Sequence, residues 1–255
     1  MELIRKNMIA LFDVDGTLTL PRKSIDPDFR SYVLNLKKVM HIGLVGGSDM
    51  CKIAEQMGGP QYLKEFDYVF SENGLVAMKD GEVFAKKNIA EQLGEDVLQT
   101  FINGCLEYMS TIALPVKRGT FIEYRTGLIN VCPVGRNCSQ EERDAFEQYD
   151  LTNHVREKFI NHLKAKFPAL PLEYLIGGQI SFDVFPKGWN KTYCLQFLTQ
   201  FDKIYFCGDK CNPGGNDYEL FSHPKVIGTK TKGPNDTKEY IQKLYDQHAV
   251  GDTAV

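Results

Sequence analysis

Two aspartates two residues apart, in the run Asp13-Val-Asp15-Gly-Thr-Leu-Thr19, are the residues of this chain best placed to do chemistry. They follow Met8-Ile-Ala-Leu-Phe12, an apolar run that reads as a buried strand. At about 5 Å and an effective dielectric near 20, two such charges repel by roughly 3 kcal/mol. A divalent cation, or a proton held on one of them, relieves that repulsion. A second acidic cluster follows a later apolar run, with Asp209 after Gly208 and Asp217 after Pro213-Gly-Gly-Asn216. Hard oxygen ligands of this kind suit Mg2+, which takes few carboxylates and keeps water and substrate phosphate. Between the clusters, Gly46-Gly-Ser48-Asp49 enters a predicted helix and Lys191 stands near the start of another. Backbone N–H groups and a hydroxyl at a helix N-terminus make a phosphate cradle, and a lysine adds compensating charge. A turn or N-cap role for Asp13 and Asp15 is the blander reading, and the other three features weigh against it.

The elements that must position these groups alternate. Strands are predicted at Met8–Asp13, His41–Val45 and Tyr68–Phe70, with helices at Asp28–Met40 and from Ser48-Asp49 to Met57. That order implies a parallel sheet with helices on its faces, and the carboxyl ends of such strands are where open α/β sheets bind ligands. Asp80-Gly81 signals a hairpin. From about residue 87 the pattern changes. One long helix is predicted at Ala90–Met109, strands at Thr120–Tyr124 and Leu128–Val134, and a capping box at Ser139–Glu142 opening a helix to Tyr149. A helix at Thr152–Phe167 and strands at Leu172–Ile176 and Ile180–Phe185 complete this stretch. The alternating pattern then resumes with a short helix at Lys191–Leu198, strands at Lys203–Cys207 and Val226–Gly228, and a terminal helix at Asn235–Asp246. The fold class expected is α/β: a Rossmann-like core on residues 1–86 and 188–255, with an α+β cap carrying an antiparallel sheet inserted at 87–187.

The chain has 255 residues, 30 basic and 33 acidic, a formal net charge of -3 and 43% hydrophobic residues. That is ordinary for a globular protein and leaves no basic excess for coating nucleic acid. No stretch approaches the roughly 20 apolar residues of a membrane span, and the N-terminus does not read as a signal peptide, so a cytosolic location is expected. The 7 cysteines are scattered and read as reduced, buried thiols. Cys207 and Cys211 lack a second Cys or His pair at zinc spacing.

Asp-x-Asp-Gly-Thr at 13–17, Ser48 after the second strand, Lys191, and the acids at 209 and 217 match, in order, the four motifs of the haloacid dehalogenase superfamily. Within it, Gly46–Asp49, Phe70–Gly74, Gly135–Arg143, Gly177–Pro186 and Gly214–Asp217 resemble eukaryotic-type phosphomannomutases, from about residue 8 to 223. The resemblance implies a mutase of hexose phosphates that feeds GDP-mannose synthesis. Asp13 would be the nucleophile and Asp15 the general acid and base, with Lys191 completing the catalytic set. Mg2+ would sit on Asp13, Asp15 (through its carbonyl) and Asp209, with Asp217 behind. A hexose 1,6-bisphosphate would serve as activator.

A mutase must hold a bisphosphate in two orientations, so it needs a second anion site. Arg125, Arg136 and Arg143 are candidates, because guanidinium forks suit phosphate oxygens. The resemblance assigns them the distal phosphate. It assigns Ser181 and Asp183 contacts to phosphate or sugar hydroxyls, Arg22 a supporting role at the substrate, and Ser48 the transferring phosphate. It also implies closure of the cap over the site and a homodimer through the cap. The chain departs from the family at Asn190, where an aspartate is usual, and at His223 and Val226 in a second cation loop beside Phe221. The resemblance then implies a weak or absent structural ion there. A sugar-phosphate phosphatase on the same fold is the alternative, and a non-catalytic relative the third reading.

Overall fold

The computed structural model describes residues 7–21 and 23–249. In chain order its strands are β1 (Met8–Phe12), β2 (His41–Val45), β3 (Tyr68–Ser71), β4 (Val76–Lys79), β5 (Glu82–Lys86), β6 (Ile122–Tyr124), β7 (Ile129–Val131), β8 (Leu172–Gly177), β9 (Ser181–Pro186), β10 (Lys203–Gly208) and β11 (Val226–Lys230). Its α-helices are α1 (Pro27–Leu34), α2 (Met50–Gln56), α3 (Ile89–Leu93), α4 (Glu95–Thr111), α5 (Gln140–Asn153), α6 (Val155–Lys166), α7 (Tyr218–Phe221) and α8 (Pro234–Ala249). The chain divides into two units, Met1–Lys86 with Trp189–Val255, and Lys87–Gly188.

In the first unit the sheet runs β11-β10-β1-β2-β3-β4-β5. The strands from β11 to β3 are parallel, and the hairpin β4–β5 is antiparallel. Successive residues point to opposite faces, and both faces are covered. Met8, Ala10 and Phe12 of β1, with Ile42, Leu44, Val69, Tyr205 and Cys207, pack against Phe29, Val33, Ile53, Ile241 and Leu244 of α1, α2 and α8. Ile9 and Leu11, with Val45, Tyr68, Phe70, Ile204 and Phe206, pack against Cys194, Leu198 and Leu220. This two-sided burial is why the strands read as unbroken apolar runs. At the hairpin, Asp80 and Gly81 both take positive φ (51° and 89°), as a type I′ turn requires.

In the second unit an antiparallel sheet runs β6-β7-β9-β8. Phe101 of α4 meets the rings of Phe167 and Tyr174, and Phe159 of α6 meets Phe182 of β9 at 5.3 Å. The buried Arg156 donates through Nε to Asp150 Oδ2 (2.7 Å) and through Nη1 to the carbonyls of Gly178 (3.0 Å) and Ser181 (3.1 Å). It therefore pins the β8–β9 turn to the α5–α6 junction.

Four expectations change. The predicted long helix is two, α3 and α4, because Gly94 takes φ 83 and ψ 147 and breaks the ladder. The helix predicted to Met40 ends as α1 at Leu34 and continues as a 3-10 turn, Asn35–Lys38. Lys191–Phe197 is a 3-10 helix as well. The helices α5 and α6 are separated by a single left-handed residue, His154.

Candidate active site

The chain order reverses at β1, with β2 and β3 on one side and β10 and β11 on the other. The crevice outside the carboxyl end of such a strand is the ligand site of open α/β sheets. Asp13 is the first residue past β1, and its N–H still donates to Cys207 O of β10 (2.9 Å). The loop then folds back, with Leu18 and Thr19 N–H groups donating to Val14 O (3.0 and 3.1 Å) and Gly16 N–H to Thr19 O (2.9 Å). Gly16 has φ +80, and a Cβ there would run into the Asp209 carboxylate. Only glycine lets this loop pass so close to the second acidic cluster.

Lys191, fully buried, pairs through Nζ with Asp13 Oδ1 and with Asp217 Oδ1 (2.5 Å). Thr17 Oγ1 donates to Asp13 Oδ2 (3.3 Å), and Lys210 N–H to Asp217 Oδ2 (2.9 Å). One oxygen from each of Asp13, Asp209 and Asp217 lies within 4.8 Å of the others. Three carboxylates against one ammonium leave a local deficit of positive charge. Burial pushes the Asp13 carboxyl up to about 7, with Asp217 and Asp209 pushing the same way and Lys191 opposing. Burial likewise raises Asp209, with Asp217 adding to it. Burial alone would lower Lys191, but Asp13 and Asp217 outweigh it and raise the ammonium. A compact divalent cation matches this set in charge, in hard oxygen donors and in spacing.

Asp15 is half-buried and accepts from Gln56 Nε2 (2.7 Å) at the end of α2. The same nitrogen reaches Thr19 Oγ1 at 3.4 Å, while buried Gln56 Oε1 has no hydrogen-bond partner among the described residues. Sequence reading missed Gln56, since nothing marks one polar residue in a short helix as facing the loop. Ser48 lies past β2 at the entry to α2. Asp49, and not Ser48, is the N-cap, accepting from Lys52 N–H at 2.9 Å. The Ser48 and Gly46 carbonyls accept from Glu72 and Asn73 N–H groups (both 2.9 Å), and Asn73 Nδ2 donates to Trp189 O (3.3 Å). The predicted Arg22 lies outside the described residues.

The other predicted residues are in the second unit. Register places Glu123 of β6 opposite Asn130 of β7, and Asn130 opposite Asp183 of β9. Asn130 Nδ2 donates to Asp183 Oδ1 (2.7 Å) and Ser181 Oγ (3.0 Å), and its Oδ1 accepts from Arg136 Nη1 (2.7 Å). Glu123 Oε2 accepts from Arg125 Nε (2.8 Å) and Nη2 (2.5 Å) and pairs with Arg136 Nε at 3.3 Å. Arg143 Nη2 donates to Arg136 O at 3.2 Å. The structure thus joins Arg125, Arg136, Ser181 and Asp183 through two residues not predicted, Glu123 and Asn130. Burial raises the Asp183 carboxyl, against the Asn130 hydrogen bond.

The sequence profile described as Eukaryotic phosphomannomutase matches residues 29–247. The chain belongs to this family. The phosphomannomutase of Dendrobium officinale is 51% identical over 245 residues, 96% of this chain and 97% of that protein. The phosphomannomutase of Arabidopsis thaliana is 52% identical over 93% of this chain and 96% of its own length. Among solved structures, N-terminally truncated, IMP-bound IMP-nucleotidase of Plasmodium falciparum matches with a TM-score of 0.62 at 17% identity, over 96% of this chain and 69% of that one. A haloacid dehalogenase-like hydrolase from Bacteroides thetaiotaomicron gives 0.58 at 13% identity, over 94% and 99%. At those identities the likeness shows the fold, which this phosphomannomutase-family chain shares with haloacid dehalogenase-like hydrolases.

Proposed function

We infer that the chain interconverts mannose 6-phosphate and mannose 1-phosphate by phosphoryl transfer through Asp13. The supporting observation is the buried Asp13–Lys191–Asp217 arrangement at the β1 switch point, in a chain of this family. Asp13 attacks the phosphorus of a hexose 1,6-bisphosphate, forming an aspartyl phosphate as the bond to the sugar oxygen breaks. Asp15 gives that oxygen a proton, then takes one from the hydroxyl of the incoming monophosphate as the hydroxyl oxygen attacks the phosphorus, the bond to Asp13 breaks, and a bisphosphate and the free carboxylate result. Lys191 holds Asp13 in place and offsets its charge. Asp13, the Asp15 carbonyl and Asp209 would hold Mg2+, with Asp217 behind them, and the ion would neutralise charge on the transferring phosphoryl group. Ser48 and Arg22 would contact substrate beside the nucleophile. Arg125, Arg136 and Arg143 would hold the distal phosphate, with Ser181 and Asp183 on sugar or phosphate oxygens. The bisphosphate primes the cycle, the product feeds GDP-mannose synthesis, and the enzyme works in the cytoplasm as a homodimer through the Lys87–Gly188 unit. Among the described residues, no helix is long and apolar enough to cross a membrane.

The test is a paired assay on purified protein with Mg2+, following mannose 6-phosphate formation from mannose 1-phosphate alongside phosphate release, with and without glucose 1,6-bisphosphate. Isomerisation that needs the bisphosphate and outpaces release is expected. Release alone, indifferent to the bisphosphate, would make the chain a phosphatase.

A further inference from the structure

In the second unit two guanidinium groups converge on one anionic oxygen. Glu123 Oε2 takes two N–H donors of Arg125 (2.8 and 2.5 Å) and faces Arg136 Nε at 3.3 Å. A phosphate oxygen bridged between two arginines is bound in the same way. The placement follows from the strands. Glu123 and Arg125 are two residues apart, and the register puts Glu123 beside Asn130, whose amide accepts from Arg136. The side chains of Glu123 and Arg136 keep 37% and 29% exposure, so this carboxylate can leave without uncovering a buried core.

We propose that Glu123 is an internal stand-in for the distal phosphate: a carboxylate that occupies the Arg125 and Arg136 donors and competes with the substrate's phosphate for them. The proposal rests on the assignment of those arginines to the distal phosphate, and it adds an opposing residue with a defined sign of effect. A carboxylate that only held the arginines in position would strengthen phosphate binding. Arg125 Nε and Nη2 and Arg136 Nε are the groups Glu123 takes, so a phosphate dianion reaching for them meets the Glu123 carboxylate and is repelled by it. Competition also suits a mutase. The bisphosphate must leave its first orientation and be taken up in the second, so an arginine site that held phosphate too tightly would slow turnover. A local carboxylate that refills the donors as phosphate departs keeps the site exchangeable.

The experiment compares Glu123→Gln, Glu123→Asp and the parent by calorimetry with mannose 1-phosphate, in EDTA so that no turnover occurs, and by steady-state kinetics with Mg2+. Glu123→Gln keeps the shape and loses the charge. It should bind mannose 1-phosphate about five- to tenfold tighter, the size expected from relieving one half-exposed like-charge contact, with a lower KM and no gain in kcat. Glu123→Asp should stay within about threefold of the parent. In an Arg125→Ala background the gain from Glu123→Gln should shrink or vanish, since the two residues act through one contact. Equal or weaker binding by Glu123→Gln would overturn the proposal, as would an undiminished gain without Arg125, or no binding by any variant. Tighter binding by Glu123→Gln in a protein that fails to isomerise would leave this inference standing and remove the mutase reading.

Discussion

Lys191→Met tests the electrostatics of the buried centre, because methionine matches the stem of lysine without its charge. The lysine is fully buried between Asp13 and Asp217. Removing one member of a buried ion pair leaves uncompensated charge and costs about 3–5 kcal/mol. The cost should depend on pH, with a definite sign. Asp13 is raised to about 7 even with the lysine present. A carboxyl raised by folding contributes stability that is fully present below its unfolded value of 3.8 and is lost as pH rises through its folded value. Without Lys191, which opposes that rise, the folded value climbs further and the loss at neutral pH deepens. The lysine's own raised value contributes stability fully present below its unfolded 10.5, so it adds no slope of its own at lower pH. Urea unfolding in EDTA at about pH 5 and pH 8 should therefore show a deficit at both, the lysine's share being common to the two, with the larger cost at the higher pH. Saturating Mg2+ should recover part of it by returning positive charge to the three carboxylates. A deficit that is equal at both pH values, or absent at pH 8, would refute the reasoning.

Gly16→Ala should weaken Mg2+ binding at least about tenfold by calorimetry, because its Cβ displaces Asp209. Gln56→Leu removes the N–H that holds Asp15 and should lower kcat on mannose 1-phosphate about tenfold. The same variant should keep the pre-steady-state burst of p-nitrophenol from p-nitrophenyl phosphate within about twofold of the parent rate, since that leaving group needs no proton. Arg156→Ala leaves Asp150 Oδ2 and the Gly178 and Ser181 carbonyls without their side-chain donor and should cost about 3–5 kcal/mol in urea unfolding. Ellman's reagent should find Cys51, the exposed thiol, fast in the native protein, and the other six only on unfolding. Burial pushes Cys105, Cys194, Cys207 and Cys211 up to about 12, far from thiolate.

How legible each feature was in the sequence follows from its physics. The strands β1, β2 and β10 are buried on both faces, so their apolar runs and the acids at their ends stood out. The break at Gly94 did not, because one glycine costs a helix only about 1 kcal/mol and the apolar periodicity continues across it. A 3-10 turn at Lys191–Phe197 spaces its few apolar residues much as an α-helix would, so the pattern could not separate them. Gln56 meets Asp15 across 41 positions and Asn130 meets Asp183 across 53, contacts that depend on strand order and register. Asn130 did leave a trace, a polar residue between Ile129 and Val131 in an apolar strand. Glu123 left none, since a carboxylate two residues from an arginine on a half-exposed strand is commonplace.

The chemistry stands or falls on a phosphoryl group carried by Asp13. The protein should be mixed with Mg2+ and glucose 1,6-bisphosphate, quenched during turnover, reduced with borohydride and mapped by mass spectrometry. Reduction of an aspartyl phosphate leaves homoserine, which should appear at position 13 and depend on the bisphosphate. Isomerisation proceeding with Asp13 unmodified, or homoserine at Asp15, Asp209 or Asp217 instead, would contradict the assignment of the nucleophile.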